Sequence, residues 1–162
     1  MAGNDTLIGG ANSTNILYGD AGSTMGNPTL GSDILIGGKG GVNYLIGDAN
    51  DVAGGVGGTG GNDFLVSAAS TTDYMWGDLR ESGSLFESGR DAFAFAKHNG
   101  DDFINDFAHG QDIIQLDLGK NTAFSDLNIE VVGSDSVIHL GAHDSVTVAN
   151  VTALTADDFM FV

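Results

Sequence analysis

The stretch Asp33-Ile34-Leu35-Ile36-Gly37-Gly38-Lys39-Gly40-Gly41-Val42-Asn43-Tyr44-Leu45-Ile46-Gly47-Asp48 holds two short apolar segments, each led by an acid or amide and each closed by glycine. The arrangement recurs along the chain. Acidic-x-apolar triplets stand at Asp5-Thr6-Leu7, Asp33-Ile34-Leu35, Asp63-Phe64-Leu65 and Asp91-Ala92-Phe93. Ten residues after each apolar member stands a second, at Leu17, Leu45, Met75 and Phe103, preceded two positions earlier by Asn15, Asn43, Asp73 and Asp101. Three positions further on comes an aspartate: Asp20, Asp48, Asp78 and Asp106, the first three behind Gly19, Gly47 and Gly77. The apolar positions are spaced 10, 18, 10, 20, 10, 18 and 10 residues apart. The repeating unit is therefore about 28 to 30 residues and contains two coils, one with a short turn and one with a long turn.

Side chains alternate faces along a strand, so each triplet reads as a short strand with its apolar member pointing inward. Successive strands then belong to opposite sheets. Leu7, Leu35, Leu65 and Phe93 are expected to stack in one sheet, and Leu17, Leu45, Met75 and Phe103 in the other. No coil buries its apolar residue alone; stacking of neighbours does so. The fold class is all-β: a parallel β-roll, or two-sheet solenoid, over residues 1–107, with an antiparallel capping meander in residues 108–162.

Composition supports many tight turns and an unusual electrostatic state. The 162 residues include 26 Gly and one Pro, and glycine at this density supplies backbone positions that other residues adopt with strain. The net charge is −17, and of the 22 acidic residues only Glu81, Glu87 and Glu130 are glutamates. A bias to aspartate suits turns, where a short carboxylate reaches nearby backbone or a hard cation. Such charge also opposes compaction unless something neutralises it. Five Lys and Arg, scattered along the chain, argue against nucleic acid as a partner. Cysteine is absent, which excludes disulfides and thiolate metal sites. No cleavable signal sequence and no membrane span is legible. The chain begins almost inside its first repeat, as a piece of a longer protein would.

The segments Gly9-Gly10-Ala11-Asn12-Ser13-Thr14-Asn15-Ile16-Leu17 and Gly37-Gly38-Lys39-Gly40-Gly41-Val42-Asn43-Tyr44-Leu45 resemble the glycine-rich nonapeptide of the RTX (hemolysin-type) calcium-binding repeat family, with one extra residue before the Asn. The resemblance implies several calcium ions, each held between stacked turns by backbone carbonyls and an aspartate. Carried over by position, the carboxylates are Asp33, Asp63 and Asp91 at the ends of the long turns and Asp73 and Asp101 at the ends of the short ones. Asp20, Asp48 and Asp78 open the long turns. Asn15 and Asn43 stand where the family has Asp, and an amide oxygen such as that of Asn43 is a weaker ligand. The turn Ser67-Ala68-Ala69-Ser70-Thr71-Thr72 has lost its glycines, so a damaged or empty site is expected there. The better sites are expected on the long-turn edge. The alternative is that each Asp merely caps its own turn through the backbone.

From Gly89 onward, stretches such as Asn99-Gly100-Asp101-Asp102-Phe103-Ile104-Asn105-Asp106-Phe107 and Gly110-Gln111-Asp112-Ile113-Ile114 resemble the C-terminal cap of RTX proteases and lipases, which implies a further calcium flanked by Asp106 and Asp112. Segments Asn128–Val132, Asp135–Leu140 and Ser145–Ala149 read as the meander, separated by Gly133-Ser134 and Gly141-Ala142. The tail Asp158-Phe159-Met160-Phe161-Val162 is similar to the uncleaved signal of proteins exported by type I secretion machinery. Secreted, extracellular localisation follows from that likeness.

Catalysis finds no constellation: His98, His109, His139 and His143 lie in no zinc or nucleophile motif, and the carboxylates recur by translation rather than as one acid/base pair. The rival to a calcium-loaded scaffold is a polysaccharide-binding or adhesin module of a larger secreted enzyme. An outward apolar stripe feeds that rival: Ile8, Ile36, Val66 and Ala94 on one sheet, Tyr18, Ile46, Trp76 and Ile104 on the other. The stripe is covered by the inserted turns with Met25, Leu30, Val52, Leu79, Leu85 and Phe86, or it docks a catalytic domain, or Tyr18 and Trp76 form a sugar platform.

Overall fold

A computed structural model describes residues 3–20, 24–53, 57–81 and 86–162. The first coil pair supplies β1 (Thr6–Ile8) and β2 (Thr14–Tyr18), followed by β3 (Thr24–Met25) in the inserted turn. The second supplies β4 (Ile34–Ile36) and β5 (Val42–Ile46), with β6 (Val52–Ala53) and β7 (Gly58–Thr59) in its insertion. The third supplies β8 (Phe64–Val66) and β9 (Thr72–Trp76), then β10 (Phe86–Glu87). The fourth gives β11 (Ala92–Ala96) and β12 (Asp101–Ile104). After them come β13 (Ile113–Asp117), β14 (Asn128–Val132), β15 (Asp135–Gly141), β16 (Asp144–Val148) and β17 (Phe159–Phe161).

These strands form two main sheets. One has the order β1-β4-β8-β11-β13-β17 and is parallel throughout. The other runs β14-β15-β16-β12-β9-β5-β2, with antiparallel pairing only in the β14-β15-β16 meander. The meander is joined to the roll because β16 pairs in parallel with β12. Strands β13 and β17 likewise extend the first sheet beyond the fourth repeat.

Between the sheets lies one continuous core. Leu7, Leu35, Leu65, Phe93, Ile114 and Phe159 stand in one register line of the first sheet. Leu17, Leu45, Met75, Ile104 and Val148 form the facing line. Leu35, Leu45, Leu65, Met75, Phe93 and Ile104 are fully buried. The fourth repeat departs from the spacing, because Met75 is opposite Ile104 rather than Phe103. β11 continues for five residues with Phe95 also inward, and the coil from Phe93 to Ile104, which passes through positive φ at His98 and Gly100, is one residue longer than its predecessors. Every side chain of β12 is thereby moved to the other face from that implied by a strict ten-residue spacing.

The outward stripe changes for the same reason. Ile104 is core, and Phe103 lies outside, where Tyr44, Tyr74 and Phe103 stack nearly parallel with ring centroids 5.2 and 4.9 Å apart. Ile8 remains 69% exposed, while Ile46 is fully buried and Ala94 nearly so. The insertions carry a small core of their own, in which Leu30, Ala49 and Leu79 are buried against Val52 and Phe86. They meet the stripe at two places. The Tyr18 hydroxyl lies 3.4 Å from Asn50 Oδ1, and the Arg80 guanidinium sits 5.5 Å from the Tyr44 ring and 5.6 Å from the Trp76 ring. Leu85 and the side chain of Met25 lie outside the described residues.

Truncating one core layer tests whether the stacked lines carry the stability. Leu65→Ala removes a fully buried side chain between Leu35 and Phe93, and a loss of about 2–5 kcal/mol in denaturant unfolding is expected. Ile8→Ala, at the exposed end of the stripe, should change stability by less than about 0.5 kcal/mol.

Candidate metal centre

The long-turn edge is ordered by aspartates that reach from one coil to the next. Asp33 Oδ1 accepts the Asp5 N–H at 2.6 Å, Asp63 Oδ1 that of Asp33 at 2.7 Å, Asp91 Oδ1 that of Asp63 at 2.8 Å, and Asp112 Oδ1 that of Asp91 at 3.0 Å. A second set closes each insertion upon itself. Asp20 Oδ2 accepts the Gly31 N–H at 2.8 Å, Asp48 Oδ1 that of Gly61 at 3.0 Å, and Asp78 Oδ1 that of Gly89 at 2.7 Å. The capping role of Gly-Asp turns is thus real, but it uses only part of each carboxylate.

The remaining oxygens are the functional signal. Asp33 Oδ2, Asp48 Oδ2, Asp63 Oδ2 and Asp91 Oδ2 are buried and have no hydrogen-bond partner. A buried polar atom in that state costs free energy unless a proton, water or ion reaches it. Glycine lets three of them lie close against the backbone. A Cβ on Gly19 would strike Asp33 Oδ2 and the Gly47 carbonyl oxygen, one on Gly47 would strike Asp63 Oδ2 and the Gly77 carbonyl oxygen, and one on Gly77 would strike Asp91 Oδ2. Asp48 Oδ2 and Asp78 Oδ1 approach Gly60 in the same way.

Among the described residues the ion pairs are His109–Asp158 and His139–Glu130, so no Lys or Arg neutralises this edge. Burial, reinforced by neighbouring aspartates, pushes Asp48 up to about 9, Asp63 up to about 8 and Asp91 up to about 10. Burial raises Asp33 and Asp78 in the same direction. Without a cation Asp48, Asp63 and Asp91 hold protons at neutral pH.

The donor set is all oxygen, a carboxylate with backbone carbonyls, which fits a hard cation such as Ca²⁺ and no soft metal. Among the described residues no three His, Cys, Asp or Glu side chains gather as a ligand cluster. Carbonyls such as those of Gly47 and Gly77 would therefore share the coordination with Asp33, Asp63 and Asp91.

The other predicted residues divide. Asp106 accepts the Gly77 and Asp78 N–H groups at 2.9 and 3.0 Å, and Asp112 accepts Ala108 N–H at 2.8 Å beside its bond from Asp91, so both terminate the long edge. Burial raises them to about 7 and about 6. Asn43 and Asp73 lie in register on the opposite, short-turn edge. Asp101 is a correction: its side chain is exposed and accepts from the Ser145 hydroxyl at 2.8 Å. The buried residue opposite Asp73 is Asp102, whose Oδ1 accepts the Asp73 N–H at 2.9 Å. The adjacent pair Asp101-Asp102 carried the signal, and the strict spacing chose its wrong member.

No protein-family profile matches the chain, and no curated protein matches it. Among solved structures, the AlgE6R3 subunit from the Azotobacter vinelandii mannuronan C5-epimerase is similar at a TM-score of 0.57 and 24% identity, over 93% of this chain and 80% of that one. The extracellular lipase LipA from Serratia marcescens aligns over 98% of this chain and 40% of that one, with a TM-score of 0.44 and 15% identity. The likeness to AlgE6R3 is one of fold and agrees with the strand order above: the chain is an all-β protein built as a parallel β-roll.

Proposed function

We propose that this chain is a calcium-dependent β-roll that folds outside the cell and serves as the stabilising scaffold of a secreted bacterial protein. The observation that carries the reading is the set of buried, unpartnered carboxylate oxygens of Asp33, Asp48, Asp63 and Asp91 on the long-turn edge. Residues 1–107 make the ion-loaded roll, and residues 108–162 cap it and carry the signal read by type I secretion machinery. The likeness in fold to a subunit of an epimerase fits a module of a larger protein.

Coupled folding follows from the charge. At the low calcium of a cytosol, the acidic turns repel and the chain stays unfolded and exportable. Extracellular modules of this kind bind calcium with dissociation constants of about 10⁻⁴–10⁻³ M. A site at roughly tenfold excess over its dissociation constant contributes about 1.4 kcal/mol, and several together decide folding.

Three outcomes are expected. Circular dichroism of chelated protein titrated with calcium gains β signal cooperatively; a spectrum unchanged between chelator and millimolar calcium overturns the proposal. Asp63→Asn keeps the oxygen that accepts from Asp33 but removes the charge, and should raise the calcium midpoint and lower the bound ion number by one in calorimetry. The pH dependence has a definite sign. In chelator the folded state holds protons on Asp48, Asp63 and Asp91 up to about pH 8–10, against an ordinary value of 3.8. Their contribution favours folding at low pH and is lost as pH rises through that window. Chelated protein should therefore lose structure between about pH 5 and 9, and calcium should restore it most strongly at the alkaline end, as read by circular dichroism.

A further inference from the structure

We infer that the short-turn edge is held by an ion-free side-chain ladder, Asn15–Asn43–Asp73–Asp102, so that calcium acts on the long-turn edge alone. The inference rests on the calcium reading above and specifies which half of the roll that ion addresses.

Asn43 is fully buried and has no lone pair to offer. Its Oδ1 accepts from Gly38 N–H at 2.9 Å and from Asn15 Nδ2 at 2.7 Å. Its Nδ2 donates to the Gly38 carbonyl at 3.1 Å and to Asp73 Oδ1. A primary amide has two donor hydrogens and two acceptor lone pairs, and all four are used. The amide's orientation is set by its surroundings, since Gly38 N–H requires an acceptor and the Gly38 carbonyl a donor. Asn15 repeats the pattern one coil earlier: Oδ1 accepts from Gly10 N–H at 2.9 Å, and Nδ2 donates to the Gly10 carbonyl at 2.9 Å and on to Asn43.

The third coil, whose turn has no glycine, solves the same problem with a hydroxyl. Asp73 Oδ2 accepts from Ala68 N–H at 2.9 Å and lies 2.9 Å from Thr71 Oγ1, which is 2.6 Å from the Ala68 carbonyl. Thr71 thus stands where the amide donor stands in the first two coils. Below it, Asp102 takes the Asp73 N–H on one oxygen and the Ser67 hydroxyl, at 2.8 Å, on the other. The contrast with the far edge is complete among the described residues: the buried carboxylate oxygens without partners belong to Asp33, Asp48, Asp51, Asp63 and Asp91, and none to this ladder. Two neutral amides in place of two carboxylates remove the repulsion in the first two coils, while in the last two burial and the neighbouring Asp73 push Asp102 up to about 7 although each of its oxygens has a donor.

The test counts calcium ions per chain by elemental analysis at saturating calcium. Asp63→Asn should lose one ion. Asp73→Asn should keep the wild-type number while folding less stably, because its new amide sets a donor against Asn43 Nδ2 or Ala68 N–H. Thr71→Val removes the hydroxyl between Asp73 and the Ala68 carbonyl and should lower stability, whereas Thr71→Ser keeps the hydroxyl and the stability, both at the wild-type ion number. That pair keeps the inference testable if Asp73→Asn alone does not fold. Loss of an ion in Asp73→Asn or Thr71→Val, with Asp63→Asn also losing one, overturns the ladder, and so does a Thr71→Val as stable as the wild type. A full ion count in Asp63→Asn overturns the calcium reading instead, and a stability loss in Thr71→Val that Thr71→Ser lacks still supports the ladder.

Discussion

Each coil of the roll hands a carboxylate to the backbone of the coil before it: Asp33 to Asp5, Asp63 to Asp33, Asp91 to Asp63, and Asp112 to Asp91. This one contact sets the parallel register on the long-turn edge, because the donor N–H immediately precedes a strand. It also stacks like charges at the spacing of neighbouring strands, about 4.8 Å. A strand of three residues contributes little pairing of its own. The rest of the architecture therefore depends on a contact that needs its surplus charge neutralised. The orphaned oxygens and the raised pKa values of Asp48, Asp63 and Asp91 are two expressions of that demand.

The two edges meet the demand differently. On the long edge, Asp20, Asp48 and Asp78 draw the ends of the insertions together with one oxygen, and glycine allows a close approach where a Cβ would strike carbonyl and carboxylate alike. On the short edge, the Asn43 amide uses all four of its hydrogen-bonding positions, and the Thr71 hydroxyl lies between the Ala68 carbonyl and Asp73. The insertions then need not shield the whole outer face, since Leu30, Ala49 and Leu79 bury one another.

The outer face of the second sheet bears on the carbohydrate alternative. Tyr44, Tyr74 and Phe103 stack upon one another. Trp76 carries the Arg80 guanidinium against one face of its indole. Sugar recognition by stacking uses open ring faces; here Tyr44, Tyr74 and Phe103 present faces to one another and Trp76 presents one to a cation.

Much of this was legible beforehand. The alternation of ten- and eighteen- to twenty-residue spacings determined the two-sheet roll and its core lines through Leu35, Leu65, Leu45 and Met75, because a strand's two-residue period admits only one inward set. The aspartate bias pointed to the long edge for the same reason, since position in the repeat places Asp33, Asp63 and Asp91 in one row. Tertiary structure alone decided three things. The coil through His98 and Gly100 holds one residue more between its two inward positions, which put Asp102 and Ile104 inside and Asp101 and Phe103 outside. The Asn43 oxygen was taken by Gly38 and by Asn15, 28 residues away, and Asp73 Oδ1 by Asn43, 30 residues away. Strands β13, β16 and β17 joined the roll's own sheets. Composition states which groups a coil offers; which of them remain unsatisfied depends on the coil stacked against it.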